Sequence, residues 1–287
     1  MPDIKIPLTV IMPVKNEAAN LRRSLPAVSW ANEVFVVDSE STDDTGSVAR
    51  ESGAELVQFK FNGVWPKKKN WALDNLPISN EWVLLLDADE VLGEDSREEI
   101  AEITSTNSRG FDGYFINRRF IFMGKWLKHS YYPNWILRLF KHERGRFEKL
   151  TDMPTASGDV EIHEHIILEG RAGHLLCEMD HYAFPTVDEF IKKHNRYSSW
   201  EATIEANPEK SYISRDLGSR KNNLVRSVKK ASKKFPFRPF LRFFYIYILQ
   251  GGFKDGVEGY YFARLHAFYE FLCCSKAYEL RKAKKKP

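Results

Sequence analysis

Three acidic side chains follow directly on an apolar run in LLLDADEV, residues 84–91. One residue separates Asp87 from Asp89, so the two carboxylates can share a divalent cation, with Glu90 close by. A cation held there can bridge to a diphosphate and neutralise the charge on a departing phosphate. The same three acids also suit an ordinary polar turn, because aspartate is common in turns. The elements around them must decide between these two interpretations.

The first ninety residues alternate between short apolar runs and helical patterns. The apolar runs predict strands at 8–12, 34–37, 54–59 and 82–86. Strands that are apolar on both faces and alternate with helices are typical of a parallel sheet covered by helices on both sides. Ligands of such sheets bind beyond the carboxyl ends of the strands. The polar segments 13–17, 38–44 and 87–90 each follow a strand, so we expect them to form one site.

Two further segments have side chains that suit a nucleotide. Asp38 ends the second apolar run, where a carboxylate can accept from the imide of a uracil or from ribose hydroxyls. The sequence KKKN, residues 67–70, precedes a predicted helix, and the N-terminus of a helix favours an anionic ligand. A run of lysines is equally typical of a solvated surface, and both interpretations stay open at this point.

Taken together, the segments resemble a known family. The stretches IMPVKNEAANLRRSL, VFVVDSESTDDT, KKKNWAL and WVLLLDADE, in this order and spacing, resemble the nucleotide-sugar-binding half of family 2 glycosyltransferases. The resemblance implies the α/β GT-A fold, which is Rossmann-like, with a mixed, mainly parallel sheet. It also implies transfer of a sugar from a UDP-sugar donor with inversion at the anomeric carbon, and Mg²⁺ or Mn²⁺ as cofactor.

The resemblance assigns roles to individual residues. It implies that Asp38 reads the base and that Asp87 and Asp89 form the DxD motif that holds the metal. Where many members have an arginine before the asparagine of the third motif, this chain has Lys69. The residues implied to bind the nucleotide-sugar are Pro13, Asn16, Glu17, Asp38, Lys69, Asn70 and Asp87.

A second resemblance covers about residues 113–270. DADE, a later His-Glu pair and the segment HYAF are similar to bacterial transferases of the lipopolysaccharide-core glucosyltransferase type. This implies a hexosyltransferase, possibly using glucose, that acts on a glycan or a lipid-linked glycan in envelope polysaccharide biosynthesis. Transfer to a polyprenyl phosphate is an alternative, since an acceptor that is already an anion needs no strong base.

Direct displacement on the sugar requires a base near the acceptor hydroxyl. The candidates after the DxD motif are Asp152, Glu161, His163 and Glu164. We favour Glu164 as the catalytic base because the resemblance is to a His-Glu pair at this point, and we keep His163 as a possible metal or phosphate ligand. His181, in DHYAF, is a candidate to reach the diphosphate, although a histidine beside aromatic residues is more often a packed one.

The C-terminal part of the chain is basic and aromatic. Residues 215–242 contain ten Lys or Arg and one acid, whereas the whole chain has a net charge of +4. Aromatic rings beside cations suit an anionic membrane surface, a single-stranded nucleic acid, or core packing under a solvated basic face. We prefer the membrane, because these rings cluster with aliphatic residues, and consider nucleic acid unlikely. The residues expected to associate with the membrane are Lys229, Lys230, Lys233, Lys234, Phe237, Arg238, Phe240, Phe243 and Phe244.

The organisation expected from the sequence is a catalytic domain followed by a helical region. We predict a GT-A domain over residues 1–186, with a nucleotide-binding half (1–95) and an acceptor-side half (96–186), and a helical region over 187–287. The uncharged stretch from Phe243 to Phe253 is too short to cross a bilayer, which takes about 20 residues. Three cysteines, two of them adjacent, favour a reducing compartment. We therefore expect a cytoplasmic protein, peripheral on the inner face of the membrane.

Overall fold

The computed structural model describes residues 5–149, 165–207 and 237–284. They fall into two compact units, each described here by itself. The first unit contains residues 5–121, 132–148 and 165–183, and the second contains 122–131, 149, 184–207 and 237–284.

Strands and helices alternate through the first ninety residues, as the apolar periodicity predicts. The elements in chain order are β1 (Ile6–Val14), α1 (Ala18–Ser24), β2 (Ala31–Asp38), α2 (Thr45–Glu51), β3 (Glu55–Gln58), α3 (Lys68–Asn75) and β4 (Trp82–Leu85). The first strand is longer than its predicted run, because Ile6 at one end and Pro13 and Val14 at the other also pair with β2.

The chain after Leu86 adds mainly strands and then helices. The strands are β5 (Glu90–Leu92), β6 (Gly113–Phe122), β7 (Lys125–Trp126), β8 (Trp135–Lys141), β9 (Gly145–Phe147), β10 (Ile166–Leu168) and β11 (Ala172–Phe184). The helices are α4 (Ser96–Thr106), α5 (Val187–Ala206), α6 (Arg238–Phe244), which continues into a π-helical turn (Tyr245–Leu249), and α7 (Gly256–Ala283).

The main sheet has the strand order β3-β2-β1-β4-β8-β6-β11-β5. Neighbours within β3-β2-β1-β4 are parallel, whereas β8 is antiparallel to both β4 and β6. The register pairs Val14 with Asp38 and Ile11 with Leu85. The carboxyl ends of β1, β2 and β4 therefore lie side by side, and the prediction of a mixed α/β sheet is confirmed.

The sheet buries side chains on both faces, which explains why its central strands read as continuous apolar runs. One face packs Leu8, Val10 and Met12 of β1 against Leu84 and Tyr114. The other face packs Ile11 and Leu85 with α3. Full burial of such a side chain stabilises the fold by about 1.5–3 kcal/mol, so these strands hold the polar segments after them in place.

The second unit is helical with an aromatic core. Phe122 meets Phe190 of α5 and Phe262 of α7 at ring centroid distances of 6.3 and 5.6 Å. The hydroxyl of Thr186 accepts from the N–H of Glu189 at 3.1 Å and so caps α5. Within residues 5–149, 165–207 and 237–284, no helix combines the length and the apolar composition that crossing a bilayer requires.

Candidate active site

The turn after β1 and the loop after β2 are joined by hydrogen bonds. Asn16 has a left-handed backbone, with φ of 56°, and its side-chain oxygen accepts from the N–H of Thr42 at 2.8 Å. The N–H groups of Asn16 and Glu17 donate to the hydroxyls of Ser41 and Thr45 at 2.7 and 2.8 Å. Pro13 pairs with Val37 in the strands themselves. The two predicted nucleotide-binding segments thus form one connected rim at the sheet edge.

Asp38 lies at the base of this rim. Its side chain is buried, with 3% exposed, and accepts from the N–H of Ser41 at 3.2 Å and from Nε2 of Gln58 at 2.9 Å. It also accepts from the hydroxyl of Ser41. These donors fix the orientation of the carboxylate before any ligand is present.

The lysines of KKKN are buried at the start of α3, so the alternative of a solvated lysine surface is wrong. Lys67, Lys68 and Lys69 are only 7, 4 and 7% exposed. Lys68 Nζ donates to the carbonyl of Val14 at 2.7 Å, which ties α3 to the end of β1. Asn70 makes a two-point contact with the backbone of Phe147, through its Nδ2 at 2.9 Å and its Oδ1 at 2.8 Å.

Asp87 is held by two cations from different elements. Lys69 Nζ lies 2.8 Å from its Oδ1, and Arg138 of β8 pairs with its Oδ2. The same nitrogen of Arg138 lies 2.7 Å from Oε1 of Glu90, and Arg118 reaches that oxygen at 3.3 Å. Glu90 is fully buried and its Oε2 accepts from the N–H of Asp87 at 3.0 Å. The acidic stretch after β4 is therefore a structured, ion-paired turn.

These contacts determine the ionisation of Asp87. Burial alone would raise the pKa of this carboxyl, but the guanidinium of Arg138 and the ammonium of Lys69 outweigh it and hold the pKa well below its usual range. Burial by itself would lower the pKa of Arg138, but the carboxylates of Asp87 and Glu90 outweigh this effect. The pKa of Arg138 is therefore raised above its ordinary value. Asp87 is therefore an anion at neutral pH.

Asp89 lies on the other side of the turn, beside a histidine. Its Oδ1 is 3.5 Å from Nε2 of His181 on β11, and both side chains are 14% exposed. Two donors at this separation can ligate one cation with bonds of about 2.1 Å, and a carboxylate is a ligand that suits Mg²⁺ and Mn²⁺. Among the described residues no group of three or more His, Cys, Asp or Glu forms a ready-made metal site. The residues present therefore fit an ion that completes its coordination with a ligand and water.

Comparison with known proteins identifies the family. The sequence model of glycosyl transferase family 2 matches residues 9–161, more than half of the chain. The chain belongs to glycosyl transferase family 2. It is an enzyme of the glycosyltransferase class, and the family together with the strand order confirms the predicted GT-A fold.

Relatives of this glycosyltransferase occur among bacterial proteins. The lipopolysaccharide core biosynthesis glycosyltransferase LpsC of Rhizobium meliloti is 26% identical, over 99% of this chain and 96% of the relative. An uncharacterised glycosyltransferase of Rickettsia felis is 28% identical, over 92% of this chain and 87% of the relative. The predicted resemblance to the lipopolysaccharide-core type is thereby confirmed at the level of homology.

Solved structures with a related shape were also found. The mannosyltransferase PcManGT from Pyrobaculum calidifontis, in complex with GDP-Man and Mn²⁺, is 16% identical, covers 98% of this chain and 88% of its own, and has a TM-score of 0.48. TarS of S. aureus is 13% identical, covers 97% and 91%, and has a TM-score of 0.43.

Sequence reasoning missed Arg138, which is 2% exposed and central to the ion-paired turn of this glycosyltransferase. Its signal is a charged residue inside the apolar run WILRLF, since a buried arginine needs anionic partners. The structure places His181 beside Asp89, and a role of His181 at the diphosphate stays a prediction. Its ring also contacts Phe120 at a centroid distance of 5.4 Å.

Several predicted residues lie outside the described part of the chain. They are Glu164 and His163 of the expected catalytic segment, and Lys229, Lys230, Lys233 and Lys234 of the expected membrane segment. Their roles stay predictions. The two strands that flank the catalytic segment are described. They are β9 before it and β10 after it, which are antiparallel and pair Phe147 with Ile166.

Proposed function

We propose that this family 2 glycosyltransferase moves a hexose such as glucose from a UDP-linked donor to a glycan or lipid-linked glycan of the bacterial envelope, with inversion and with Mg²⁺ or Mn²⁺. The observation that carries the proposal is the paired arrangement after β4. Asp87 is neutralised by Lys69 and Arg138, while Asp89 lies 3.5 Å from an imidazole with which it can share a cation.

Different described residues would bind different parts of the donor. The oriented carboxylate of Asp38 takes the imide or ribose hydroxyls of the nucleoside. The rim formed by Asn16 and Glu17 encloses the nucleotide at the ends of β1 and β2. Lys69, held at 2.8 Å by Asp87, adds positive charge near the diphosphate without being free to swing away.

Asp89 and His181 would hold the metal ion, whereas Asp87, the other predicted ligand of the DxD motif, pairs with Lys69 and Arg138. When bound, such an ion neutralises charge on the departing diphosphate. The buried pair of Asp87 with Arg138 supports this role indirectly, because it fixes the backbone turn on which Asp89 stands. A merely polar turn would need no buried arginine brought from a strand 51 residues later in the chain.

We propose Glu164 as the base that takes the proton of the acceptor hydroxyl, and His163 as a further ligand of the metal or phosphate. Glu164→Gln should abolish transfer and leave UDP affinity unchanged, because the amide keeps the shape and loses the basicity. Turnover at the wild-type rate by this variant would remove Glu164 from the mechanism and favour a polyprenyl phosphate acceptor.

The proposed acceptor class rests on the homology to a lipopolysaccharide core biosynthesis glycosyltransferase that spans nearly the whole chain. A core glycan presents many hydroxyls, and selection among them requires an acceptor site beyond the donor pocket. We therefore place the acceptor with the strands that follow the DxD motif.

The donor proposal is tested by calorimetric titration of UDP and then UDP-glucose, with and without Mn²⁺, into the wild type and Asp89→Ala. We expect metal-dependent binding that weakens at least tenfold in the variant, about 1.4 kcal/mol. Asp188→Ala, at an exposed aspartate in the first turn of α5, is the matched control and should bind as the wild type does. Absence of any UDP or UDP-glucose binding to the wild type would overturn the donor proposal.

We further propose that the protein works at the inner face of the cell membrane. The support for this proposal is one helix face in the second unit. Exposed apolar side chains recur on it every three or four residues, from α6 into the π-helical turn. They are Phe237, Phe240, Leu241, Phe244, Tyr245, Ile248 and Leu249, and Phe240 and Leu249 are 72 and 66% exposed. We call these seven residues the apolar helix face.

The charges around the apolar helix face favour an anionic bilayer. Residues 237–254 contain no acid and, besides the ion-paired Arg238, two cations, Arg242 and Lys254. Arg238 and Phe243 lie on the other side of the helix, where Arg238 pairs with Glu205 and Glu270 at 3.0 and 2.8 Å. Phe243 stacks on Tyr247 at 5.2 Å. Of the five described residues predicted to meet the membrane, Phe237, Phe240 and Phe244 are on the exposed face.

Vesicle flotation tests this proposal. The double variant Phe240→Ser with Leu249→Ser should lose most binding to vesicles that contain anionic lipid, because each buried apolar side chain contributes about 1.5–3 kcal/mol. Phe271→Ser, at a 55% exposed phenylalanine of α7, is the matched control and should float with the vesicles. Equal flotation of the double variant and the wild type, or binding to oligonucleotides in place of vesicles, would contradict membrane docking.

A further inference from the structure

The face of the sheet opposite Tyr114 and Ile116 carries an exposed aromatic cluster where β6, β8 and β11 lie together. The register pairs Phe115 with Leu137 and Asn117 with Trp135, so these four side chains share one face. His174 stacks on Phe115 with 5.3 Å between ring centroids and meets the edge of Trp135 at 4.7 Å. We call Phe115, Trp135, His174 and Leu176 the aromatic sheet face.

This surface is open to solvent although it is apolar. Trp135 is 41% exposed and Leu176 is 85% exposed. The backbone N–H groups beside this side chain already have acceptors. The carboxylate of Glu99 accepts from the N–H groups of Leu176 and Cys177 at 2.9 and 2.8 Å. A contiguous exposed apolar patch beside satisfied polar groups is typical of a binding surface.

Polar groups border the aromatic sheet face in fixed positions. Oε1 of Glu178 accepts from Nδ2 of Asn117 at 2.6 Å and from the hydroxyl of Tyr132 at 2.7 Å. Both bonds use the same oxygen, so Oε2 keeps its capacity to accept from the hydroxyl of a ligand. Two residues further along β11, Asp180 accepts from Nε of Arg119 at 2.7 Å. The border is thus rigid and rich in hydrogen-bond acceptors, and Asp180 within it is paired with Arg119.

These properties select one class of ligand. A hexopyranose has an apolar face of C–H groups, which the electron-rich face of an aromatic ring attracts, and a rim of hydroxyls, which carboxylates and amides bind. A nucleic acid or an anionic lipid would meet the carboxylate of Glu178, which is held by neutral donors, and would be repelled by it. The surface therefore matches an uncharged sugar ring better than a phosphate-bearing partner.

The strands of the aromatic sheet face also carry active-site residues, whose side chains point to the opposite face of the sheet. Asp180 immediately precedes His181, the neighbour of Asp89, and Arg118, which contacts Glu90, lies between Asn117 and Arg119. We propose that this face binds a sugar unit of the acceptor glycan, with Trp135 and His174 against the ring and Glu178 taking a hydroxyl. The inference rests on the proposed function, since it assumes that the acceptor is a glycan.

The test is a titration of delipidated core oligosaccharide from a bacterial lipopolysaccharide, followed by NMR, into the full-length protein. Trp135→Ala should weaken oligosaccharide binding by about tenfold through loss of the ring contact, whereas Trp135→Phe should keep most of it. UDP binding should be the same in all variants. Tyr278→Ala, at a 64% exposed aromatic side chain of α7, is the matched control and should bind as the wild type does.

A second variant covers the case in which Trp135→Ala does not fold. Leu176→Glu changes a side chain that is almost fully exposed, so it leaves the core intact and adds a charge to the face. It should also weaken oligosaccharide binding. Unchanged affinity in these variants, or no oligosaccharide binding to the wild type, would overturn the inference, and the parallel UDP titration reports separately on whether the donor proposal stands.

Discussion

At the scale of single residues, Arg138 is the side chain on which the acidic turn depends. It is buried and pairs with Asp87 and with the fully buried Glu90. Removing one partner from a buried ion pair costs more than the pair contributes, because the remaining charge has lost its water and has no replacement. Loss of Arg138 should therefore cost more stability than loss of an arginine from a surface ion pair.

We predict that Arg138→Ala lowers the free energy of unfolding by about 3–5 kcal/mol. The control is Arg146→Ala, which breaks an ion pair with Asp74 whose side chains are 39 and 48% exposed and should cost at most about 1 kcal/mol. Urea denaturation of both variants checks the prediction. Equal losses of stability would mean that the buried position of Arg138 adds nothing.

His181 is the second informative residue. His181→Gln removes the imidazole beside Asp89 and keeps a polar side chain of similar reach. We expect the gain in UDP affinity on adding Mn²⁺ to fall about tenfold, because loss of one ligand weakens a metal site by such a factor. Binding of UDP without metal should not change, and calorimetry measures both quantities. An undiminished metal effect would exclude His181 as a ligand.

At the scale of secondary-structure elements, one carboxylate anchors a loop to the start of α7. Asp255 is 3% exposed and accepts from the N–H groups of Lys128, His129 and Ser130 at 3.1, 3.1 and 2.7 Å. Burial opposes ionisation of this carboxyl, but its hydrogen bonds with His129 and Ser130 lower the pKa below the ordinary value. The residues after β7 and the helix thus depend on each other.

We predict that Asp255→Ala destabilises the protein by about 3 kcal/mol, because it leaves buried N–H groups without acceptors. Asp188→Ala serves as the control, since that aspartate is 71% exposed and makes an i,i+4 pair with Lys192. The two variants are compared by thermal and chemical unfolding. A loss at Asp255 no larger than that at Asp188 would show that the loop finds other acceptors.

At the scale of the whole molecule, two histidines buried in the helical unit make its stability depend on pH. Burial lowers the pKa of His194 to about 4, and burial also lowers the pKa of His266 well below its ordinary value. Both rings are packed among aromatic side chains, 5.5 Å apart. The unfolded chain therefore takes up protons at a higher pH than the folded protein does.

We predict that the free energy of unfolding falls as the pH is lowered from 7 towards 4. Between the unfolded pKa of about 6.5 and the folded value, each neutral histidine lowers stability by about 1.4 kcal/mol per pH unit. His194→Phe keeps a ring and removes one titrating group, so its stability should fall less steeply over this range. Denaturation at a series of pH values gives the slopes, and identical slopes in the two proteins would contradict the assignment.

Much of the first unit could be predicted from the sequence, because hydrophobic periodicity is a local property. The runs before Asp38 and Asp87 are strands, and the acids follow them as expected. The parts that could not be predicted are contacts between distant segments. The pairing of Arg138 with Asp87 spans 51 residues and requires β8 to lie beside β4, which no local pattern states.

By itself, the sequence determined the order of strands and helices, the family motifs and the position of the acids at a strand end. The tertiary structure decided that Asp87 pairs with Arg138 and that Asp89 lies beside His181, since those side chains come from β8 and β11. It also decided that KKKN is buried while the apolar helix face and the aromatic sheet face are open. Burial is set by what packs against an element, and residue composition alone cannot express that.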